Sequence, residues 1–270
     1  MEQINLNEIH DARVREWYYK KHCSKSGFSI VSTKYPTILE IESTSRCNVN
    51  PPCPMCQRAV RDTSKEKDMP EHLVKWLMSP IQNVKEISIS GIGEPMMAQS
   101  FYNMINIKSS ARLSFFCNGQ ILTEKNMKII LEKPVTVIKF SIDAATPNTY
   151  RKIRGFDMST FSTVINNISS LITMRNERNQ RFPWIHLIMV LMKENYQELP
   201  DLVTLAGKIG ANGVSCWRMR RPSNAYDYKN HKRLDFNFSY EEQSELPHIA
   251  NILAEADCRA KILGITFDVS

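Results

Sequence analysis

Three cysteines fall within ten residues: Cys47, Cys53 and Cys56, in the stretch Arg46-Cys-Asn-Val-Asn-Pro-Pro-Cys-Pro-Met-Cys-Gln57. Three thiolates on one short loop can hold three irons of a four-iron cluster and leave the fourth iron open to an outside ligand. Zinc is the rival, because three cysteines with a histidine or a water also complete a tetrahedral site. The nearest histidines in sequence, His22 and His72, lie outside the loop. The cysteines alone leave both metals open.

The elements that must position this loop can be read from the surrounding pattern. The loop follows the strand-like run Thr37-Ile-Leu-Glu-Ile-Glu42. Further strand-like runs cover 84–90, 113–118, 135–143, 184–192 and 213–219, with helical runs between them at 71–78, 98–108, 124–132, 160–175 and 197–209. Thr123 and Ser159 stand at N-cap positions and Gly210 at a C′ position. Residues 5–22 read as a charged helix with Ile9, Val14 and Trp17 as a partial apolar stripe, and a helix near 240–255 precedes a seventh strand or edge at 262–269. Repeated alternation implies parallel strands with right-handed crossovers. The expected architecture is α/β: a partial (β/α)6 TIM-like barrel with outer helices over 36–270, plus an N-terminal helical segment over 1–35.

Three more motifs fall at strand ends, where parallel barrels collect reactive groups. They are Ser90-Gly-Ile-Gly-Glu-Pro-Met96, Cys117-Asn-Gly-Gln-Ile-Leu-Thr123, and Phe140-Ser-Ile-Asp-Ala-Ala-Thr-Pro-Asn-Thr-Tyr-Arg-Lys-Ile-Arg-Gly155. Gly91 and Gly93 allow a backbone to come close to a ligand. Lys139, Ser141 and Asp143 share one strand face, as do Ser114, Phe116 and Asn118, so Cys117 points the other way. The planar fork of Arg154 suits a carboxylate. Met55 sits between the second and third cysteines, where loop packing also explains it. His186 lies mid-strand and reads as packed. Arg218, Arg220 and Arg221, at the end of the sixth strand, could hold a carboxylate or phosphate.

In this order the four motifs resemble the core of the radical S-adenosylmethionine (SAM) superfamily, in particular sulfatase maturases, peptide-modifying enzymes and members serving molybdenum- and quinone-cofactor biosynthesis. The resemblance runs from about Thr37 to Arg220. It implies a [4Fe-4S] cluster on Cys47, Cys53 and Cys56, with S-adenosyl-L-methionine chelating the open iron. Reductive cleavage of that cofactor would give a 5′-deoxyadenosyl radical that abstracts hydrogen from a peptide or natural-product precursor, or from a small metabolite or cofactor precursor. It also implies cofactor contacts by Met55, Gly91, Gly93, Glu94, Asn118, Ser141 and Arg154. The usual cysteine spacing in the family is three residues, then two; here it is five, then two. Two extra residues add at most about 7 Å of chain, which a loop absorbs, so the spacing marks a subfamily. A non-catalytic metal-binding scaffold is the weakest alternative.

Composition sets outer bounds. The chain has 270 residues, 42% hydrophobic and 23% charged, enough for a sizeable core. No apolar run approaches the roughly 20 residues of a membrane span, and the polar start lacks a signal-peptide core, so a cytoplasmic protein is expected. Net charge is +7, from 35 Lys+Arg against 28 Asp+Glu. No nucleic-acid motif accompanies it. A basic surface suits an acidic electron donor of the flavodoxin or ferredoxin kind. The run Arg175–Arg181 reads as a solvated face. Cys23, Cys117, Cys216 and Cys258 read as buried small hydrophobes. Only Cys258 follows the core before Ser270, which suggests a minimal member or a fragment.

Overall fold

The structure, a computed structural model, describes residues 37–78, 84–218 and 247–269. Seven strands pair side by side in chain order, all parallel: β1 (Ile38–Ile41), β2 (Glu86–Ile89), β3 (Arg112–Cys117), β4 (Val135–Ser141), β5 (Trp184–Leu191), β6 (Gly213–Arg218) and β7 (Thr266–Val269). This is the open, TIM-like sheet expected, extended by one strand. The seventh strand, anticipated as an edge, pairs with β6 over Gly213–Cys216.

Seven α-helices lie among the described residues: α1 (Glu71–Met78), α2 (Gln99–Ile105), α3 (Glu124–Leu131), α4 (Pro147–Arg154), α5 (Met158–Glu177), α6 (Leu199–Ile209) and α7 (Ile249–Leu263). Thr123 accepts from the Asn126 N–H at 3.3 Å and caps α3. Gly210 ends α6 in the left-handed region at φ 78°, where glycine carries no Cβ penalty. Helix α4 was not anticipated within the fourth motif. Thr146 caps it and Pro147 opens it, a sufficient local signal. Helix α5 starts two residues earlier than a Ser159 cap predicts, with Asp157 at its N-cap. The N-terminal helical segment, Arg220 and Arg221 lie outside the described residues.

The strands alternate, and both faces of that alternation carry information. Ile87, Ile89, Leu113, Phe115, Ile138, Phe140, Ile185, Leu187, Met189, Val214 and Cys216 are buried in one apolar cluster with the helices. Parallel sheets usually read as continuous apolar runs because both faces are covered. Here the intervening positions include Ser88, Ser114, Lys139, Ser141, His186 and Ser215 beside Phe116, Val137, Ile188, Val190 and Trp217. The inner face is therefore a lumen whose walls mix polar and apolar side chains. Arg175 corrects the solvated-face reading: it is buried, and its Nη1 donates to Pro183 O and Asn212 Oδ1, each at 2.9 Å, joining the entries to β5 and β6. Cys117 and Cys216 are buried as expected, whereas Cys258 is exposed.

Candidate active site at the carboxyl ends of the strands

The chain leaves β1 and at once makes the cysteine loop. Thr44 Oγ1 donates to Asp68 Oδ1 at 2.6 Å, and Arg46 grips the same carboxylate through Nε (2.8 Å) and Nη2 (2.6 Å). Further along, Arg58 is buried. Its Nη1 donates to Val49 O at 2.9 Å, and its other nitrogens take both oxygens of Glu66, at 2.5 and 2.9 Å. Val49 lies in the widened segment between the first two cysteines, so a side-chain clamp holds that excursion.

The loop after β2 packs onto the cysteine loop. Glu94 N donates to Arg46 O at 2.8 Å. A Cβ on Gly93 would collide with the carbonyl oxygens of Thr44 and Arg46, and one on Gly91 with the Glu42 side chain. The glycines thus serve the approach of one loop to the other. Glu94 is 2% exposed; its carboxylate accepts from Asn118 N at 2.7 Å and from Met96 N at 3.4 Å, tying the ends of β2 and β3 together. Burial pushes this carboxyl up to about 7, against the pull of those N–H groups. Asn118 Nδ2 donates to Asn48 Oδ1 at 2.8 Å and lies 3.8 Å from Cys47 Sγ. Asn48 in turn donates to Gln120 Oε1 at 2.8 Å.

The end of β4 supplies an ion pair. Asp143 adopts φ 59°, accepts from Val190 N at 2.7 Å and pairs with Arg154 of α4. Arg154 Nη2 also donates to Ser141 O at 2.7 Å, while its Nε is buried without a partner. Burial works against the Arg154 charge, yet Asp143 and Cys53 keep its guanidinium above its ordinary value. Burial likewise pushes the Asp143 carboxyl up, against Arg154 and the Val190 N–H.

Two residues that the sequence did not single out hold this turn. Glu198 accepts from Ala145 N (2.7 Å), Thr146 N (3.1 Å), Thr146 Oγ1 (2.7 Å) and Thr149 Oγ1 (2.5 Å). Asn195 Nδ2 donates to Asp143 O at 2.9 Å and Val190 O at 2.8 Å. Both lie about fifty residues away in the chain, and no local signal marks them.

All ten residues singled out for cluster or cofactor line one cavity of about 430 Å3: Cys47, Cys53, Met55, Cys56, Gly91, Gly93, Glu94, Asn118, Ser141 and Arg154. That size suits a small organic ligand. The cysteines are free. Burial pushes the Cys47 thiol up to about 11 and raises that of Cys56, so a bound metal would have to draw off their protons. Among the described residues no group of three or more His, Cys, Asp or Glu is set to hold a single metal ion. A four-iron cluster does not need one, since each cysteine takes a different iron. The Arg58 N–H lies 3.5 Å from Cys56 Sγ, and N–H donors near the sulfurs suit thiolate ligands. The donor set, the room and the unpartnered Arg154 Nε fit a cluster with a carboxylate-bearing cofactor beside it.

Residues 41–206 match the model of the Radical SAM superfamily. The chain belongs to that superfamily. Radical SAM enzymes use a [4Fe-4S] cluster and S-adenosylmethionine. The chain is 28% identical over 181 residues to the tungsten-containing aldehyde ferredoxin oxidoreductase cofactor-modifying protein of Pyrococcus furiosus, covering 65% of this chain and 49% of that protein. It is 24% identical over 185 residues to the AdoMet-dependent heme synthase of Methanosarcina barkeri, covering 67% and 50%. The chain thus spans about half the length of these curated radical SAM relatives. Its fold is similar to Streptococcus suis SuiB bound to precursor peptide SuiA, at TM-score 0.63 and 13% identity, over 97% of this chain and 63% of SuiB. No helix among the described residues is long and apolar enough to cross a membrane.

Proposed function

We propose that this chain carries the catalytic core of a radical SAM enzyme acting on a peptide or natural-product precursor in the cytoplasm, with electrons from a flavodoxin- or ferredoxin-type protein. The observation that carries the reading is the meeting of Cys47, Cys53 and Cys56 with the ends of β2, β3 and β4 on one cavity. Those cysteines would hold the [4Fe-4S] cluster. Met55, Gly91, Gly93, Asn118 and Ser141 would line the S-adenosylmethionine site, with Glu94 fixing its wall, and Arg154 Nε would meet the methionine carboxylate. When bound, cluster and cofactor together supply one-electron cleavage of a carbon–sulfur bond and abstraction of a hydrogen atom. The chain's own contribution is to fix orientation and exclude water. Glu198 and Asn195 hold the Ser141–Arg154 turn, and the clamp of Arg58 on Val49 holds the loop.

A second reading, a small metabolite or cofactor precursor as substrate, is supported by the names of the two curated relatives. Both readings share one test. Anaerobic reconstitution with iron and sulfide should load about four irons per chain. It should also give a brown absorbance that changes on adding S-adenosylmethionine, and 5′-deoxyadenosine on reduction. Cys53→Ala should abolish all three. Tight zinc binding with no sulfide-dependent colour would overturn both readings.

A further inference from the structure

A second cavity, of about 390 Å3, occupies the lumen toward the amino ends of the strands. Its wall includes the first residues of β2, β3, β5 and β7, namely Glu86, Arg112, Trp184 and Thr266. In a closed parallel barrel this region is packed with bulky branched side chains and serves stability. Here Ser114, Lys139, His186 and Ser215 share the wall with Val137, Trp184 and Trp217, and room is left between them. Lys139 Nζ lies 4.9 Å from the ring centre of Phe116 and 5.9 Å from that of Trp217. Those rings meet edge to face at 5.2 Å. Trp217 lines both cavities and Phe116 the upper one, so the lysine and its two rings form the partition between cofactor cavity and lower lumen.

Lys139 takes part in none of the ion pairs among the described residues. Two carboxylates also line the lower lumen. Glu86 is paired with Arg112 at 2.8 Å, and Asp268 is exposed on the edge strand β7. The His186 imidazole is held below its ordinary value by burial, with Asp268 pulling it up and Lys139 pushing it down. Its Nδ1 is 3.4 Å from Ser215 Oγ. An ammonium boxed by aromatic faces, beside an imidazole and two hydroxyls, offers several donors, while the carboxylates of the same wall are held by Arg112 or stand at the exposed edge.

We propose that the lower lumen binds a carboxylate carried by the substrate, with Lys139 as its counter-ion and Ser114, Ser215 and His186 as hydrogen-bonding partners. Assigning that carboxylate to the substrate rests on the radical SAM reading above; the site itself does not. A carboxylate anchored below the partition would hold the rest of the substrate toward the cofactor cavity, so the partition sets how deep a substrate is held.

The test uses the full chain, reconstituted and labelled at the histidine Cε1, with glutarate as probe and inorganic phosphate and chloride as comparators. A carboxylate beside His186 favours the imidazolium, so glutarate should raise its titration midpoint saturably. Lys139→Met should weaken glutarate binding roughly tenfold or more, and Lys139→Arg should restore much of it. In the free protein Lys139→Met should itself raise the His186 midpoint, which also reports that the variant is folded. A response to phosphate but not to glutarate would overturn the carboxylate assignment, and no response to any anion would overturn the site. S-adenosylmethionine binding, scored on the same samples, separates either failure from a failure of the cofactor reading.

Discussion

The two ends of the lumen are built differently. At the carboxyl ends, Glu94, Asn118, Asp143 and Arg154 are engaged by groups from neighbouring loops, and Glu198 and Asn195 brace them from further off. At the amino ends, Lys139 has aromatic rings against its ammonium and no ion pair among the described residues, and the hydrogen bonds of Ser114 and His186 are long, 3.4 Å each. The upper site takes its shape from loop-to-loop contacts within the chain. The lower one is shaped by strand register alone, and its polar groups are left for something else to satisfy. Preorganisation of this kind suits a site for demanding chemistry, whereas the lower site keeps polar groups free to meet a ligand.

That contrast can be broken by substitution. The largest effect should come from Asp143→Ala, which strands the buried Arg154 charge. A loss of about 3–5 kcal/mol is expected, read by chemical denaturation, with weaker S-adenosylmethionine binding. Equal stability in the variant would mean that the upper network is not what shapes the site. Next comes Gly93→Ala, where the added methyl meets two backbone carbonyls of the cysteine loop. A cost of about 1–3 kcal/mol should go with a lower iron content after reconstitution. The smallest effect belongs to the lower lumen. The folded His186 binds its proton less tightly than the unfolded chain. The stability linked to it is present above the ordinary histidine value, about 6.5, and lost as pH falls through the lower folded value. His186→Gln should flatten that slope in denaturation curves taken on either side of the window. An unchanged slope would mean that the lower lumen is as open as bulk water.

Much of the upper site was legible because its chemistry is local. Cysteine spacing, Gly91 and Gly93, and the Ser141–Asp143 alternation each lie in a short run whose strand context is readable by period. The partnership between Asp143 and Arg154 was not, because it depends on α4 folding back over the strand end. Glu198 and Asn195 were invisible for a deeper reason: an acceptor for four donors looks like any helix-start glutamate until the strands align. The lower lumen was half legible. Lys139 was placed on the face of Ser141, but an inward lysine gains meaning only once Phe116 and Trp217 close around it. Arg175 shows the converse failure, since a basic run at a helix end gives no hint that one member turns inward to bind Pro183 and Asn212.

The clamp of Arg58 on Val49 and Glu66 has a consequence for the lifetime of the protein in air. The widened loop is held open by a guanidinium and a carboxylate, neither of which is oxidised by oxygen. If the proposed cluster lost its iron, the clamp on Val49 would still hold the segment between the first two cysteines. Such a loop can be refilled in place. Damage and repair could cycle many times on one folded chain, with no step in which the barrel has to be made again.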